Sequence, residues 1–193
     1  MSDKGLKLVL PKWVAGFVED REASYPDIED RMRLVIDLAR KNIEAGTGGP
    51  FGAAVFDMRT HRLISVGINQ VELLNCSVLH AEIVALILAQ EKSRNYDLGA
   101  SGMPECELVS SVEPCAMCFG AIPWSGIRRL AYGASEKDVE AIGFDEGDKV
   151  DDWAGSLIRR GIDVQKEVCR TEADKVLKEY KRMGGKIYNP RRE

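Results

Sequence analysis

The sequence predicts an α/β domain with a mixed sheet. Three observations lead there. The chain has 193 residues, the size of one domain. Its first two strand-like runs are joined by a short turn, as in a hairpin. Further strands then alternate with helices, and strand–helix–strand connections make parallel neighbours.

The elements follow in order. Residues 1–25 read as an extension in which Leu10, Trp13, Val14 and Phe17 fall at near-helical spacing, so Trp13 and Phe17 should dock a short segment on the body. Residues 26–183 read as the single domain. Pro26 opens an amphipathic helix with Ile28, Met32, Val35 or Ile36, Ala39 and Ile43 on one face, and Gly46 stops it. Phe51–Phe56 and Leu63–Ile68 read as strands around a turn at Asp57–His61. A loop from Asn69 to Leu79 leads to a helix near His80 that is apolar on most sides and should be buried. Glu107–Ser111 reads as a buried strand, a helix starts near Pro114, and Ile127–Tyr132 is a further strand. Helices around Asp152–Arg160 and Glu172–Met183 follow, and residues 184–193 form a tail.

Composition narrows the function. Apolar residues make up 45% of the chain, enough for a core, and charged residues 30%, enough for a soluble surface. The net charge of -4 argues against an obligate nucleic-acid binder, whose domains are strongly basic. A basic cluster of Lys181, Arg182, Lys186, Arg191 and Arg192 reads as a solvated tail. No apolar run reaches the roughly 18 residues of a membrane span, and Leu8-Val9-Leu10 is too short for a signal peptide. A cytoplasmic protein is expected. Five irregularly spaced cysteines do not make a disulfide framework, which leaves thiols free as ligands.

Two clusters carry chemistry: His80-Ala81-Glu82 and Pro114-Cys115-Ala116-Met117-Cys118, each at a helix start. Cys115 and Cys118 are three apart and share a helix face. A helix N-terminus favours thiolate, and thiolates with a neutral imidazole bind zinc. Three protein ligands with one open position mark a catalytic site rather than a closed structural one. Cys76 is the only plausible fourth ligand; His61 sits in the hairpin turn and reads as exposed, and Cys106 as a buried structural thiol. Glu82, two residues after a ligand, can take a proton from an activated water and return it to a leaving group.

His-x-Glu followed by Pro-Cys-x-x-Cys is the established signature of zinc nucleobase deaminases. The chain from about Met32 to about Lys149 resembles the cytidine deaminase-like superfamily of zinc hydrolases. Within it, Gly48-Gly49-Pro50-Phe51-Gly52-Ala53 and Glu113–Cys118 with Gly120-Ala121-Ile122 are similar to guanine deaminases and tRNA adenosine deaminases, and Ala141-Ile142-Gly143-Phe144-Asp145-Glu146 is similar to bacterial guanine deaminases and plant guanosine deaminases. The resemblance implies a three-layer α/β/α fold around a central mixed sheet of about five strands. It also implies one Zn²⁺ per chain on His80, Cys115 and Cys118, and two catalytic acids, Glu82 and the proton shuttle Glu146. Asn69 would hydrogen-bond a purine base, Phe51 would stack near it, and Trp124 would stand near the pocket. A homodimer is implied, with the tail exchanged so that Tyr188 lies over the neighbour's site. Cys76-Ser77-Val78-Leu79 stands where the family usually reads Asp-Pro-Thr-Ala, a more apolar approach to the metal. The expected activity is hydrolysis of guanine to xanthine and ammonia. The alternatives are guanosine, tRNA adenosine or an amino-triazine as substrate, or a silent module that zinc merely staples.

Overall fold

The computed structural model describes residues 8–19 and 24–189. The first described helix, α1 (Lys12–Glu19), buries Val14 and lays Trp13 and Phe17 against the core. The long helix α2 (Ile28–Glu44) follows, then the hairpin β1 (Gly52–Asp57) and β2 (Leu63–Ile68). Next come α3 (Ala81–Ser93), β3 (Cys106–Val112), α4 (Ala116–Ser125) and β4 (Arg129–Ala134). The C-terminal part adds α5 (Glu136–Ile142), α6 (Trp153–Ile158), β5 (Asp163–Gln165) and α7 (Arg170–Arg182).

The strands form one five-stranded sheet in the order β2-β1-β3-β4-β5. β2, β1 and β3 run antiparallel in turn, while β3, β4 and β5 are parallel. The sheet is therefore mixed and of the expected size. α2 and α7 cover one face and α3 with α4 the other, giving the expected three-layer arrangement. Two glycines set how closely the helices approach. A Cβ on Gly67 would sit on the Ala81 carbonyl oxygen, and one on Gly52 on the Val35 carbonyl oxygen. Register puts Gly67 opposite Ala53, so residues 67 and 52 face opposite layers.

One end of the sheet gathers the chemistry. Phe51 enters β1 there, and Asn69 leaves β2 there. The antiparallel pairing of β1 with β3 brings the end of β3, and so Glu113-Pro114-Cys115, to the same place. This is where ligands bind in α/β folds: outside the carboxyl ends of parallel strands.

Three local expectations need correction. α5 and β5 were not legible in the sequence, because seven and three residues are too short to show a period. The helix expected near Pro114 starts two residues later, with Cys115 as its extended N-cap (φ -63°, ψ 171°). His61 is half-buried with φ 54°, and its Nδ1 lies 3.4 Å from Arg31 Nη1.

α5 is fixed by a capping box. Asp138 Oδ2 accepts from the Ser135 backbone N–H and hydroxyl, both at 2.8 Å, and from Arg170 Nε at 2.8 Å. The Arg170 guanidinium, with Ser135 adding, pulls the Asp138 carboxyl down to about 2. A depressed acid stabilises the fold above its unfolded value near pH 4, and that contribution fades as pH falls towards 2. Asp138→Asn should cost about 1–2 kcal/mol at pH 7. The gap to wild type should close in urea titrations carried from pH 5 down to pH 2.

Candidate functional site

α3 and α4 point their N-termini at one spot. His80 is the N-cap of α3 and Cys115 that of α4, so each is held in extended backbone just before its helix. Cys118 lies in the first turn of α4 and is fully buried. The ligand atoms of His80, Cys115 and Cys118 all lie within 4.8 Å of one another. His80 Nδ1 and Cys115 Sγ are 3.5 Å apart. A tetrahedral zinc with ordinary Zn–N and Zn–S bonds would place such atoms about 3.6 Å apart. No other such cluster occurs among the described residues, and Cys76 is not part of it.

The electrostatics suit a cation. A hydrogen bond from the Cys118 thiol, against the opposing pull of burial and with help from His80, brings Cys115 down to about 4. Cys118, the donor, is pushed well up by that bond and by burial. Zinc takes sulfur as thiolate, so its binding would release protons from this pair. The residues present fit a zinc ion.

Three buried acids line one cavity here; Glu113 pairs with Lys149 at 2.7 Å, and Glu82 and Glu146 lie beside the cluster. Glu82 sits in the first turn of α3, 3% exposed, and its Oε1 accepts from Ser110 Oγ at 3.3 Å. Ser110 pairs with Ala53 opposite Gly67, so it faces the α3 layer and can reach this carboxyl. Burial, then the Cys115 thiolate, push Glu82 above its usual range, while His80 opposes them. Glu146 is 7% exposed, although its neighbours Asp145, Gly147 and Asp148 are exposed. Its carbonyl accepts from the Ala116 N–H at 2.9 Å, which ties the 143–150 segment to the start of α4. Burial raises the Glu146 carboxyl to about 9, with the Cys115 and Glu82 charges adding and Lys149 opposing.

These groups line a cavity of about 410 Å³ together with Phe51, Phe144, Tyr188 and Asn189. The Phe144 ring packs edge-on against Phe51 and Tyr188, each at 5.0 Å between centroids. Sequence reasoning quoted Phe144 within a segment but gave it no role. Its signal was an aromatic residue next to the acids. Ser110 and Asn189 were also missed.

Asn69 does not line the cavity. It is fully buried behind Tyr188, and its Nδ2 donates to the Tyr188 hydroxyl at 2.6 Å. Tyr188 stands in its own chain's cavity. The tail is held there by Tyr180 Oη donating to the Lys186 carbonyl (2.7 Å) and by Asn189 bonding Gly143 O (2.8 Å) and Asp145 N (2.9 Å). Trp124 is the residue that does not fit its expectation. It is 84% exposed at the end of α4 and absent from the cavity wall, because its position on the helix turns it outward. Of the basic cluster, Lys186 pairs with Glu72 at 2.5 Å and Lys181 bonds the Ala141 carbonyl. Arg191 and Arg192 lie outside the described residues. No helix among the described residues is long and apolar enough to cross a membrane.

Comparison with known proteins places this site in context. The cytidine and deoxycytidylate deaminase zinc-binding region matches residues 26–134. The structure of a guanine deaminase from Nitrosomonas europaea superposes with a TM-score of 0.88 at 46% identity, over 92% of this chain and 97% of that one. A variant of NE0047 bound to 8-azaguanine gives a TM-score of 0.88 at 47% identity, over 95% and 98%. Guanine deaminase of Bacillus subtilis (strain 168) is 36% identical over 118 residues, 61% of this chain and 71% of that protein. A tRNA-specific adenosine deaminase of Buchnera aphidicola is 33% identical over 131 residues, 68% and 79%.

Proposed function

Since the chain belongs to the cytidine and deoxycytidylate deaminase zinc-binding family, we propose that it hydrolyses guanine to xanthine and ammonia with one zinc ion per chain. The observation that carries this reading is one cavity, lined by His80 and Cys115 of the cluster, that also holds the buried carboxyls of Glu82 and Glu146 beside Phe51, Phe144 and Tyr188. A zinc-stapled module would have no need of two buried carboxyls there.

His80, Cys115 and Cys118 would hold the zinc. When bound, it acts as a Lewis acid and makes water a nucleophile near neutral pH. Glu82 accepts the proton of the water that adds to C2 of the base and passes it to the ring nitrogen beside that carbon. The former 2-amino group gains a proton and leaves as ammonia, while the C2 hydroxyl gives its proton back to the acids and becomes the 2-oxo group. Glu146, raised to about 9, holds a proton at neutral pH and can supply it. The aromatic rings pack on the faces of the base, and the tail excludes water.

A second reading, adenosine in tRNA, is favoured by the relatives that act on tRNA. Against it stands the net charge of -4, which gives no overall basic surface for phosphates. Ammonia release over guanine, guanosine, adenine, cytosine, cytidine, amino-triazines and a tRNA anticodon stem-loop distinguishes them. Guanine should give the highest kcat/KM.

The zinc assignment makes its own prediction. Purified protein should hold about one zinc per chain by elemental analysis. Cys118→Ala should lose most of it, and its melting temperature should drop to that of chelator-treated wild type.

A further inference from the structure

We propose that the N-terminal helix α1 acts, through Thr47 and Asn42, as the positioning device of the wall that faces the substrate. This rests on the reading above. Trp13 Nε1 donates to Thr47 Oγ1 at 3.1 Å, and Thr47 Oγ1 donates to Asn42 Oδ1 at 2.7 Å. Asn42 Nδ2 then donates to two carbonyls, Gly49 O at 2.9 Å and Asn69 O at 3.0 Å. Asn42 is 0% exposed, so each of these partners matters.

The polarity of this chain is fixed at every step. Carbonyl oxygens only accept, so the nitrogen of the Asn42 amide must face them and its oxygen must face Thr47. The Thr47 proton is thereby committed to Asn42, which leaves a lone pair of Thr47 for the indole N–H. An amide with one allowed orientation clamps two separate segments. One carries Phe51, whose N–H donates to Gly49 O at 2.8 Å. The other carries Asn69, whose side chain holds the Tyr188 hydroxyl. Phe51 and Tyr188 both line the cavity. The packing around the amide is tight: a Cβ on Gly48 would fall on the Asn69 carbonyl oxygen and within 2.8 Å of Asn42 Nδ2. Trp13 lies outside residues 26–134, the part matched by the family, and touches no cavity atom. It acts only through Thr47 and Asn42.

The test uses full-length zinc-loaded protein and three substitutions. Thr47→Val removes the hydroxyl at nearly constant shape, Thr47→Ser keeps it, and Trp13→Phe removes only the N–H. Steady-state kinetics on guanine and hydrogen–deuterium exchange of residues 47–52 and 69 are read together. Thr47→Val should raise KM about tenfold with kcat within about twofold, and should speed exchange at Phe51 and Asn69. Thr47→Ser should behave as wild type. Trp13→Phe should raise KM about threefold alone and add nothing to Thr47→Val, because the path is already cut. Unchanged KM and exchange in Thr47→Val would overturn the proposal. So would equal losses in Thr47→Val and Thr47→Ser, which report packing alone. Wild-type protein inactive on guanine would instead defeat the proposed substrate, and the exchange data would still decide the network.

Discussion

Glu82→Gln is expected to lower guanine turnover by about 10²–10⁴-fold while zinc content stays at the wild-type level. The amide keeps the shape of the side chain and can still meet the Ser110 hydroxyl, so the fold should hold. What it loses is a basic oxygen. Glu113, equally near Cys115 in sequence, is paired with Lys149, whereas Glu82 lies two residues after His80 and is buried beside the cluster, where its Oε1 accepts from Ser110. Its carboxyl has to accept one proton and release it within a turnover, which an amide cannot do. Because the loss lies in the chemical step, kcat should carry it and KM should move little. Zinc loss in this variant would mean that Glu82 supports the ligands rather than the proton.

Glu146→Gln should reduce kcat on the order of 10²-fold, again with zinc retained. The argument here is burial. Among neighbours that are exposed, this one carboxyl turns inward, and the apolar surroundings raise it to about 9. A neutral acid serves as a proton donor only while it is protonated. Wild-type kcat should therefore decline as pH rises through about 9, and that alkaline limb should be missing in Glu146→Gln. Glu146→Asp should keep part of the activity, since the acid remains but its reach shortens by one bond. Wild-type kcat in Glu146→Gln would leave Glu82 to work alone.

Which parts of this account were legible in the sequence follows from how local each feature is. The hairpin, α2 and α3 were readable because their apolar periods extend over many residues. The convergence of His80, Cys115 and Cys118 beside Glu82 was readable because they lie within two runs of three and five residues at helix starts. The inward turn of Glu146 was not, since its run of acids looks like solvated surface and long-range bonds with Ala116 and Asn189 set the segment's path. The aromatic roof depends on residues 51, 144 and 188, brought together by the sheet end and the tail rather than by any spacing. Trp124 shows the converse: its residue type matched an expectation, but the turn of α4 that carries it faces outward. Asn69 was identified as a polar contact for the base. It is instead joined to Tyr188, so its hold on the cavity passes through the tail.

Incubation of zinc-loaded protein with guanine in ¹⁸O-labelled water, followed by mass analysis of the product, tests the central claim most directly. The account predicts xanthine carrying one ¹⁸O atom and one equivalent of ammonia, with both formed about 10²–10⁴-fold more slowly by Glu82→Gln. Unchanged guanine from protein that holds its zinc, alongside conversion of adenosine to inosine in a tRNA stem-loop, would contradict it.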